Sequence, residues 1–354
     1  METSSQGGSS SSNGGGLNLK LLVAIIVASL VLAACSSTDT GEPTELVLLT
    51  HDSFALSEGT LDAFTAETGI KVTVLEGGDG GSLVTQAALS KDNPTGDVLY
   101  GVDNTLLTRV VDLFVPYESP AMAGVSPALK YDGRVTPIDF ADVCINYDKS
   151  AFTGDLAPPA NLEDLIDPNY AGMTVVENPA TSSPGLAFLM ATIAHYHEDG
   201  WQDYWLALLA NGTVVAPDWE TAYYSHFTGG GGTGSPIVVS YASSPPAGVI
   251  FAEQPLDDAP TASVSEGCFR QVEYAGILKD SKAARQLIDF MLSPRFQEDL
   301  PLNMFVFPAL TTAELPPEFV KYTEVPTDPL TLDPALIDAN RDRWIDQWTQ
   351  IVAP

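Results

Sequence analysis

The sequence predicts an α/β protein whose mostly parallel sheet is flanked by helices. Short apolar runs rich in β-branched residues recur along the chain, and stretches of helical character separate them. This alternation is typical of βαβ units, in which a helix crosses back between two parallel strands. About 320 residues follow the N-terminal apolar segment, and by the usual length of domains this is enough for two lobes.

The elements follow one another in a regular order. Strands are predicted over residues 45–50, 70–75, 97–102, 174–176 and 237–241. Helices are predicted over residues 61–67, 82–89, 104–112, 184–196, 283–292 and 334–348. Gly69 stands where a left-handed residue ends the first helix. Asp333 followed by Pro334 is typical of the start of the last one.

The N-terminus is typical of an export signal. A Ser/Gly-rich start leads into an apolar run over residues 21–34, followed by Cys35. The run is short for a membrane span but suits the apolar part of a signal peptide. Its end, Leu-Ala-Ala-Cys, resembles a bacterial lipobox, in which the cysteine is acylated. We therefore predict a lipoprotein signal peptide over residues 1–35, lipidation of Cys35, and a flexible tether over residues 36–44. The mature protein is expected outside the cytoplasm, on the periplasmic or cell-surface face of a membrane.

The composition limits the range of partners. The net charge is −31, from 46 Asp and Glu against 15 Lys and Arg, and 45% of the residues are hydrophobic. So negative a chain disfavours nucleic acid and anionic membrane surfaces and favours solubility. Contact with the membrane is expected only through the lipid anchor. The charge also suits a cationic ligand, although surface acidity is commonly a solubility feature.

Catalytic and metal-binding signatures are weak, and we predict no enzyme, no cofactor and no metal site. His195 and His197 are two residues apart on a predicted helix and do not share a face. The glycine-rich segment 229–234 lacks the Lys-Ser/Thr of a phosphate-binding loop. The segment 77–82 contains a serine but lacks the strand, turn and helix of a nucleophile elbow.

Polar and aromatic residues instead follow the predicted strands. Asp79 and Gly80 follow the second strand, Asp103 follows the third, and a Thr-Ser-Ser-Pro-Gly loop at 181–185 precedes a helix. Trp219 lies between Asp218 and Glu220, and the run 241–245 follows the fifth strand. In open α/β sheets ligands bind beyond the carboxyl ends of strands. Aromatic faces and a carboxylate together suit a flat cation, and the N–H groups of the helix after residue 182 suit an anion or polar group.

Taken in order, several segments resemble the periplasmic thiamine-binding proteins of ABC importers. The resemblance covers residues 46–348. The segments that carry it include His51-Asp52-Ser53-Phe54, Asp79-Gly80-Gly81-Ser82-Leu83, Ser182-Ser183-Pro184-Gly185-Leu186, Trp219-Glu220-Thr221-Ala222-Tyr223 and Ser240-Tyr241-Ala242-Ser243-Ser244-Pro245. No single segment is specific; their order and spacing are.

The resemblance implies an α/β, two-lobed periplasmic-binding-protein type II fold with a hinge of crossing β-strands. The first lobe would comprise residues 45–140 with a return segment over 265–310. The second lobe would comprise residues 141–264, with a C-terminal helical segment over 311–354 packing on it. The protein would act as a monomer that binds thiamine or thiamine phosphate and delivers it to the permease subunits of an ABC transporter.

The resemblance also implies the site residues. The ligand would contact Asp79, Gly80, Ser182, Ser183, Trp219, Tyr241, Ala242, Ser243 and Ser244. Further candidates are His51, Asp103, Tyr223 and Phe305. Trp219 would stack on a ligand ring, and Asp79 would supply negative charge or accept a hydrogen bond. His51 and Ala247 stand where the family often has tyrosine, so the aromatic lining is reduced.

Two other ligand classes stay open. The adjacent Tyr223 and Tyr224 resemble the tyrosine pair that binds ferric iron in proteins of the same superfamily. Another small organic solute is the other alternative.

Two cysteines remain besides Cys35. In an exported protein Cys144 and Cys268 are either a disulfide or two buried thiols. The resemblance places both where the chain crosses between the lobes, and we hypothesise that they pair across that ribbon.

Overall fold

The computed structural model describes residues 44–352. The predicted signal peptide, the predicted lipidation site Cys35 and the predicted tether up to residue 43 lie outside these residues. Over the part of the chain that is described, none of the helices combines the length and apolarity needed to cross a membrane.

Within residues 44–352, ten strands form one mixed sheet. They are β1 (Glu45–Thr50), β2 (Lys71–Glu76), β3 (Val98–Asp103), β4 (Val135–Asp148), β5 (Thr174–Glu177), β6 (Val214–Ala216), β7 (Ile237–Tyr241), β8 (Thr261–Ser263), β9 (Phe269–Ile277) and β10 (Phe307–Pro308). Neighbours follow the order β2-β1-β3-β9-β4-β7-β5-β6, and β8 and β10 also pair with β4. The five strands predicted from the sequence are all present, with bounds within one residue of those predicted.

Two long strands join the two halves of this sheet. β1, β2 and β3 are mutually parallel, as are β5, β6 and β7, whereas β9 and β4 lie between them in antiparallel pairings. Asp103 at the end of β3 pairs with Glu273, which pairs with Asp139 of β4. Tyr241 at the end of β7 pairs with Val143 of β4. The carboxyl ends of both parallel groups therefore meet at the middle of β4.

Helices cover the sheet. They are α1 (Thr60–Thr68), α2 (Gly80–Leu89), α3 (Ser183–Ala210), α4 (Ala247–Ile250), α5 (Lys282–Met291), α6 (Pro294–Gln297), α7 (Leu300–Asn303), α8 (Pro317–Tyr322) and α9 (Pro334–Val352). α1 ends at Gly69 in the left-handed conformation, as predicted. The helix predicted over 184–196 is the first part of α3, which is interrupted at His197, where φ is 60°.

The helix predicted over residues 104–112 is wrong. The chain forms two short 3₁₀ turns instead, at Leu107–Arg109 and Val111–Leu113. A tertiary contact holds this backbone: Arg341 Nη1 donates to the Thr105 carbonyl at 3.0 Å. The Asp103 carboxylate accepts the Thr105 N–H in a local turn. Local helical preference is weak compared with such fixed hydrogen bonds.

Two further contacts bear on the architecture. The C-terminal helix α9 packs on α3, where the Trp344 Nε1–H donates to Glu198 at 2.7 Å and Trp348 lies edge-on to Trp205. Cys144 of β4 and Cys268, which precedes β9, form a disulfide. This bond ties together the two long strands that join the halves of the sheet.

Candidate ligand-binding site

A cavity of about 300 Å³ lies where the carboxyl ends of the two parallel groups meet. Its volume is at the lower end of the range usual for small-molecule sites. The acids that line it are Asp52, Asp79, Asp139, Glu220 and Glu273. The aromatic residues that line it are His51, Phe54, Trp219, Tyr223, Tyr224, Tyr241, Phe251 and Phe305. Among the described residues that line it there is no Lys or Arg, so its wall is aromatic and acidic.

Most of the residues predicted to bind ligand line this cavity. They are Asp79, Gly80, Ser183, Trp219, Tyr241 and Ser244, and of the further candidates His51, Tyr223 and Phe305. Ala247, where the resemblance suggests tyrosine, lines it as well. The sequence segments that contribute these residues are far apart in the chain, and the convergence of the strand ends brings them together.

Four predicted residues do not reach the cavity wall: Ser182, Asp103, Ala242 and Ser243. Ser182 is the N-cap of α3, and its Oγ accepts the N–H of Gly185. Asp103 is fully buried and binds Thr105 and the Ser183 Oγ. Ala242 packs against the disulfide, and Ser243 is fully buried beside it in the chain. These residues support the wall from behind.

Asp79 connects three segments. Its carboxylate accepts the backbone N–H groups of Gly80 at 2.5 Å, Ser183 at 2.9 Å and Trp219 at 3.1 Å. Burial raises the pKa of Asp79, and these hydrogen bonds oppose the rise. The side chain therefore fixes the starts of α2 and α3 and the position of Trp219, besides lining the cavity.

The start of α3 was predicted as an anion or polar-group site. In the structure its N–H groups and hydroxyls face carboxylates of the protein itself: the Ser183 N–H donates to Asp79 and the Ser183 Oγ to Asp103. The positive end of a helix stabilises such carboxylates. The chain thus supplies its own negative groups at this helix end.

Trp219 lies in a fixed aromatic group. Its indole Nε1–H donates to Ser240 Oγ at 3.0 Å, and its ring stacks on Tyr223 with centroids 5.0 Å apart and planes 26° apart. Tyr224 lies edge-on to it, with centroids 5.6 Å apart, and Tyr241 lies 6.2 Å away. A ring held on one edge and one face is preorganised to pack against a flat ligand.

A buried polar cluster forms another part of the wall. Tyr100 donates its O–H to Asp139 Oδ2 at 2.5 Å and lies 3.3 Å from Glu273 Oε2. His51 Nε2 lies 3.6 Å from the same Glu273 oxygen. Burial raises the pKa of Asp139, and the nearby Glu273 carboxylate raises it further. Burial alone would lower the pKa of His51, but the carboxylates of Glu273, Asp79 and Asp52 together raise it above its usual value.

Sequence reasoning missed several residues of the wall, chiefly Asp139, Gln271 and Glu273. Their signals were present in the chain. Asp139 is a carboxylate within a largely apolar strand, and Gln271 and Glu273 are two positions apart, so they share a face of β9. A charged side chain in such a strand is rarely buried without a reason.

Comparison with known proteins fits this geometry. The chain matches the family described as bacterial extracellular solute-binding protein over residues 93–327. It is 30% identical to the thiamine-binding periplasmic protein of Escherichia coli over 317 residues, covering 87% of this chain and 93% of that one. It is 30% identical to the thiamine-binding periplasmic protein of Salmonella typhimurium over 337 residues, covering 91% and 97%.

Solved structures of similar proteins show the same fold. A periplasmic thiamin binding protein superposes with a TM-score of 0.76 at 27% identity, covering 88% of this chain and 96% of that one. Ferric-iron-binding proteins are also among the similar proteins, at lower identity. These neighbours have the type II periplasmic-binding-protein fold that the resemblance predicted, and that prediction is confirmed. The chain belongs to the bacterial extracellular solute-binding proteins, in the family of the periplasmic thiamine-binding proteins.

Proposed function

We propose that this protein captures thiamine, or a thiamine phosphate, outside the cytoplasm and delivers it to the permease of an ABC importer. The observation that carries the proposal is the cavity wall, which combines aromatic rings with carboxylates and has no Lys or Arg among its described residues. Rings attract a flat cation through their faces, and carboxylates add Coulomb attraction. Thiamine carries a cationic thiazolium ring and a flat aminopyrimidine ring.

The names of the relatives support the same ligand, because the chain covers more than nine-tenths of the thiamine-binding proteins of Escherichia coli and Salmonella typhimurium. The family binds and delivers solutes, and we propose that this member likewise has no catalytic activity. The relatives also support a periplasmic or cell-surface location. Anchoring through an acylated Cys35 is part of the proposal, as is action as a monomer.

We propose two lobes with the boundaries given by the resemblance, 45–140 with 265–310 and 141–264 with the C-terminal segment. The exchange of partners along β4 supports this division: residues Val135–Val143 pair with β9, and Val143–Tyr147 pair with β7. The cavity would then lie in the cleft between the lobes, which such proteins close on their ligand.

Ferric iron is the second candidate, since Tyr223 and Tyr224 both line the cavity. Iron is bound by the ionised phenolate, and burial raises the pKa of both tyrosines. The wall combines flat aromatic rings with carboxylates, which suits an organic cation, and we therefore propose thiamine ahead of iron.

Calorimetric titration with thiamine tests the proposal. We expect saturable binding by the wild-type protein and a loss of about 1–3 kcal/mol in Trp219→Ala, from removal of ring contacts and cation–π attraction. Tyr131→Ala is the control, because Tyr131 is exposed and does not line the cavity. Its affinity should equal that of the wild type.

Two results would contradict the proposal. A folded wild-type protein without measurable thiamine binding would exclude the ligand. A red colour from tyrosinate-to-iron charge transfer in the protein purified from cells would favour the iron alternative.

A further inference from the structure

Polar atoms without protein partners lie in the cavity wall. Asp139 is 0% exposed and Gln271 2% exposed, and both line the cavity. Asp139 Oδ1 and Gln271 Oε1 have no hydrogen-bond partner among the described residues. A buried acceptor that stays unpaired loses the hydrogen bonds it made to water in the unfolded chain and so destabilises the folded protein. Two such acceptors in one cavity point to a ligand that donates hydrogen bonds.

The other polar atom of each side chain, Asp139 Oδ2 and Gln271 Nε2, already has hydrogen-bond partners. Tyr100 donates to the other oxygen of Asp139, Oδ2, at 2.5 Å. The Nε2 group of Gln271 donates to Glu273 Oε1 and to the Tyr241 hydroxyl, each at 3.4 Å. These bonds set the orientation of both groups and leave one oxygen of each unpaired.

The sheet places the two residues at diagonal positions on adjacent strands, because Gln271 pairs with Ala141. Asp139 of β4 pairs with Glu273 of β9, and Gln271 lies two positions before Glu273 on the same face. The two acceptors therefore come from adjacent strands at the point where the carboxyl ends of the parallel groups converge. A rigid sheet is a precise support for such a site.

We propose that Asp139 and Gln271, here called the acceptor pair, bind an amino group on the heterocycle of the ligand and thereby determine specificity. The inference rests on the proposed function, because the exocyclic amino group of the thiamine pyrimidine supplies the two N–H donors that the acceptor pair requires. The amino group would donate to Asp139 Oδ1 and Gln271 Oε1 and satisfy both buried oxygens, which requires that Asp139 Oδ1 carries no proton. An analogue with an oxygen in its place would oppose acceptor to acceptor.

Oxythiamine, which carries an oxo group instead of this amino group and keeps the thiazolium ring, is the probe. The measured quantity is the ratio of the dissociation constants for oxythiamine and thiamine. In the wild type we expect a ratio of at least about ten, because sites built to bind an N–H group reject analogues that lack it. Asp139→Asn and Gln271→Met should each lower that ratio several-fold, the first because its amide N–H can donate to the oxo group.

Asp52→Asn is the matched control. Asp52 is an acid of the same cavity wall, but it is half-buried and is not part of the acceptor pair. Its loss should weaken both ligands to the same extent and leave the ratio unchanged. Thermal unfolding shows whether each variant is folded, and if Asp139→Asn is not, Gln271→Met decides.

The outcomes separate the two proposals. Thiamine binding by the wild type, with a ratio that neither acceptor-pair variant changes, would overturn the acceptor pair and leave the thiamine proposal in place. Failure of the wild type to bind thiamine or oxythiamine would overturn the thiamine proposal and this inference together.

Discussion

Phe305 combines a place in the cavity wall with backbone strain. It lines the cavity, lies edge-on to Phe251 with centroids 5.7 Å apart, and has a φ of 55°. The left-handed region is disfavoured for L-residues by about 1–2 kcal/mol. Bulky residues adopt it mainly where the surrounding structure enforces it, often at functional sites.

Replacement of Phe305 by glycine and by alanine separates these two roles. Both variants lack the ring, so both should bind thiamine more weakly than the wild type and to the same extent. Glycine tolerates a positive φ and alanine does not, so Phe305→Gly should be more stable than Phe305→Ala by about 1 kcal/mol. Denaturant titration measures the difference; equal stability would mean that the backbone relaxes without strain.

At the scale of elements, one irregular segment positions the aromatic wall. Residues Thr221–His226 form a π-helical turn, in which the Phe227 N–H donates to the Ala222 carbonyl. The wider turn sets Tyr223 and Tyr224 against Trp219. π-helical turns are rare overall but common at functional sites. Here the turn places two rings, those of Tyr223 and Tyr224, beside Trp219 on one wall.

The disulfide joins the two long strands and should stabilise the folded protein. Cys144 and Cys268 are 124 positions apart and connect β4 to the start of β9. Closing a loop of this length stabilises by about 4–5 kcal/mol in the chain-entropy model. We expect the Cys144→Ser/Cys268→Ser protein to unfold at lower denaturant concentration but to bind thiamine with unchanged affinity, since neither cysteine lines the cavity.

Reduction of the wild-type protein serves as the control for the double variant. Dithiothreitol should lower the stability of the wild type to that of the variant and leave the variant unaffected. Free thiols at both positions in natively exported protein, found by non-reducing peptide mapping, would contradict the pairing.

For the whole molecule, the excess negative charge and the buried acids should both lower the free energy of unfolding as the pH rises. The net charge is −31, and self-repulsion of such a chain opposes the compact state as its acids ionise. Burial raises the pKa of Asp103 to about 7, and burial also raises the pKa of Glu177 well above its usual range. Both groups bind protons more tightly in the folded state than in the unfolded chain.

Stability should therefore decrease as the pH rises. Asp103 has an ordinary pKa of 3.8 and a folded pKa of about 7, so its contribution is complete below about pH 4 and is lost through pH 7. Asp103→Asn should reduce the slope of unfolding free energy against pH by up to about 1.4 kcal/mol per pH unit in this window. Denaturant titrations at several pH values measure that slope.

Asp148→Asn is the control, because the pKa of Asp148 is shifted in the opposite direction to that of Asp103. Burial would raise the pKa of Asp148, but hydrogen bonds from Thr228 and Ser150 lower it below 3.8. Its stabilising effect is therefore lost only as the pH falls below about 4. The variant should be less stable throughout the window from pH 4 to 7 with an unchanged slope. An Asp103→Asn protein with the wild-type slope would contradict the assignment of the slope to Asp103.

Local sequence signals determined much of the fold. Short β-rich runs located β1, β2, β3, β5 and β7, because strand propensity and burial act over a few residues. Gly69 and Pro334 marked helix ends because their backbone preferences are intrinsic. The order and spacing of the loop segments then indicated the family and, with it, a set of site residues most of which line the cavity.

The tertiary structure alone decided which of those residues line the cavity and which lie behind its wall. Ser182 and Asp103 have the same residue types as residues that line it, but a helix cap and a buried hydrogen-bond network engage them. The segment after Asp103 does not form the predicted helix, because distant residues such as Arg341 bind its backbone. Asp139 and Gln271 are more than a hundred positions apart in the chain, and only the pairing of β4 with β9 brings them onto adjacent strands. Such contacts depend on the register of strands far apart in the chain, which local periodicity does not encode.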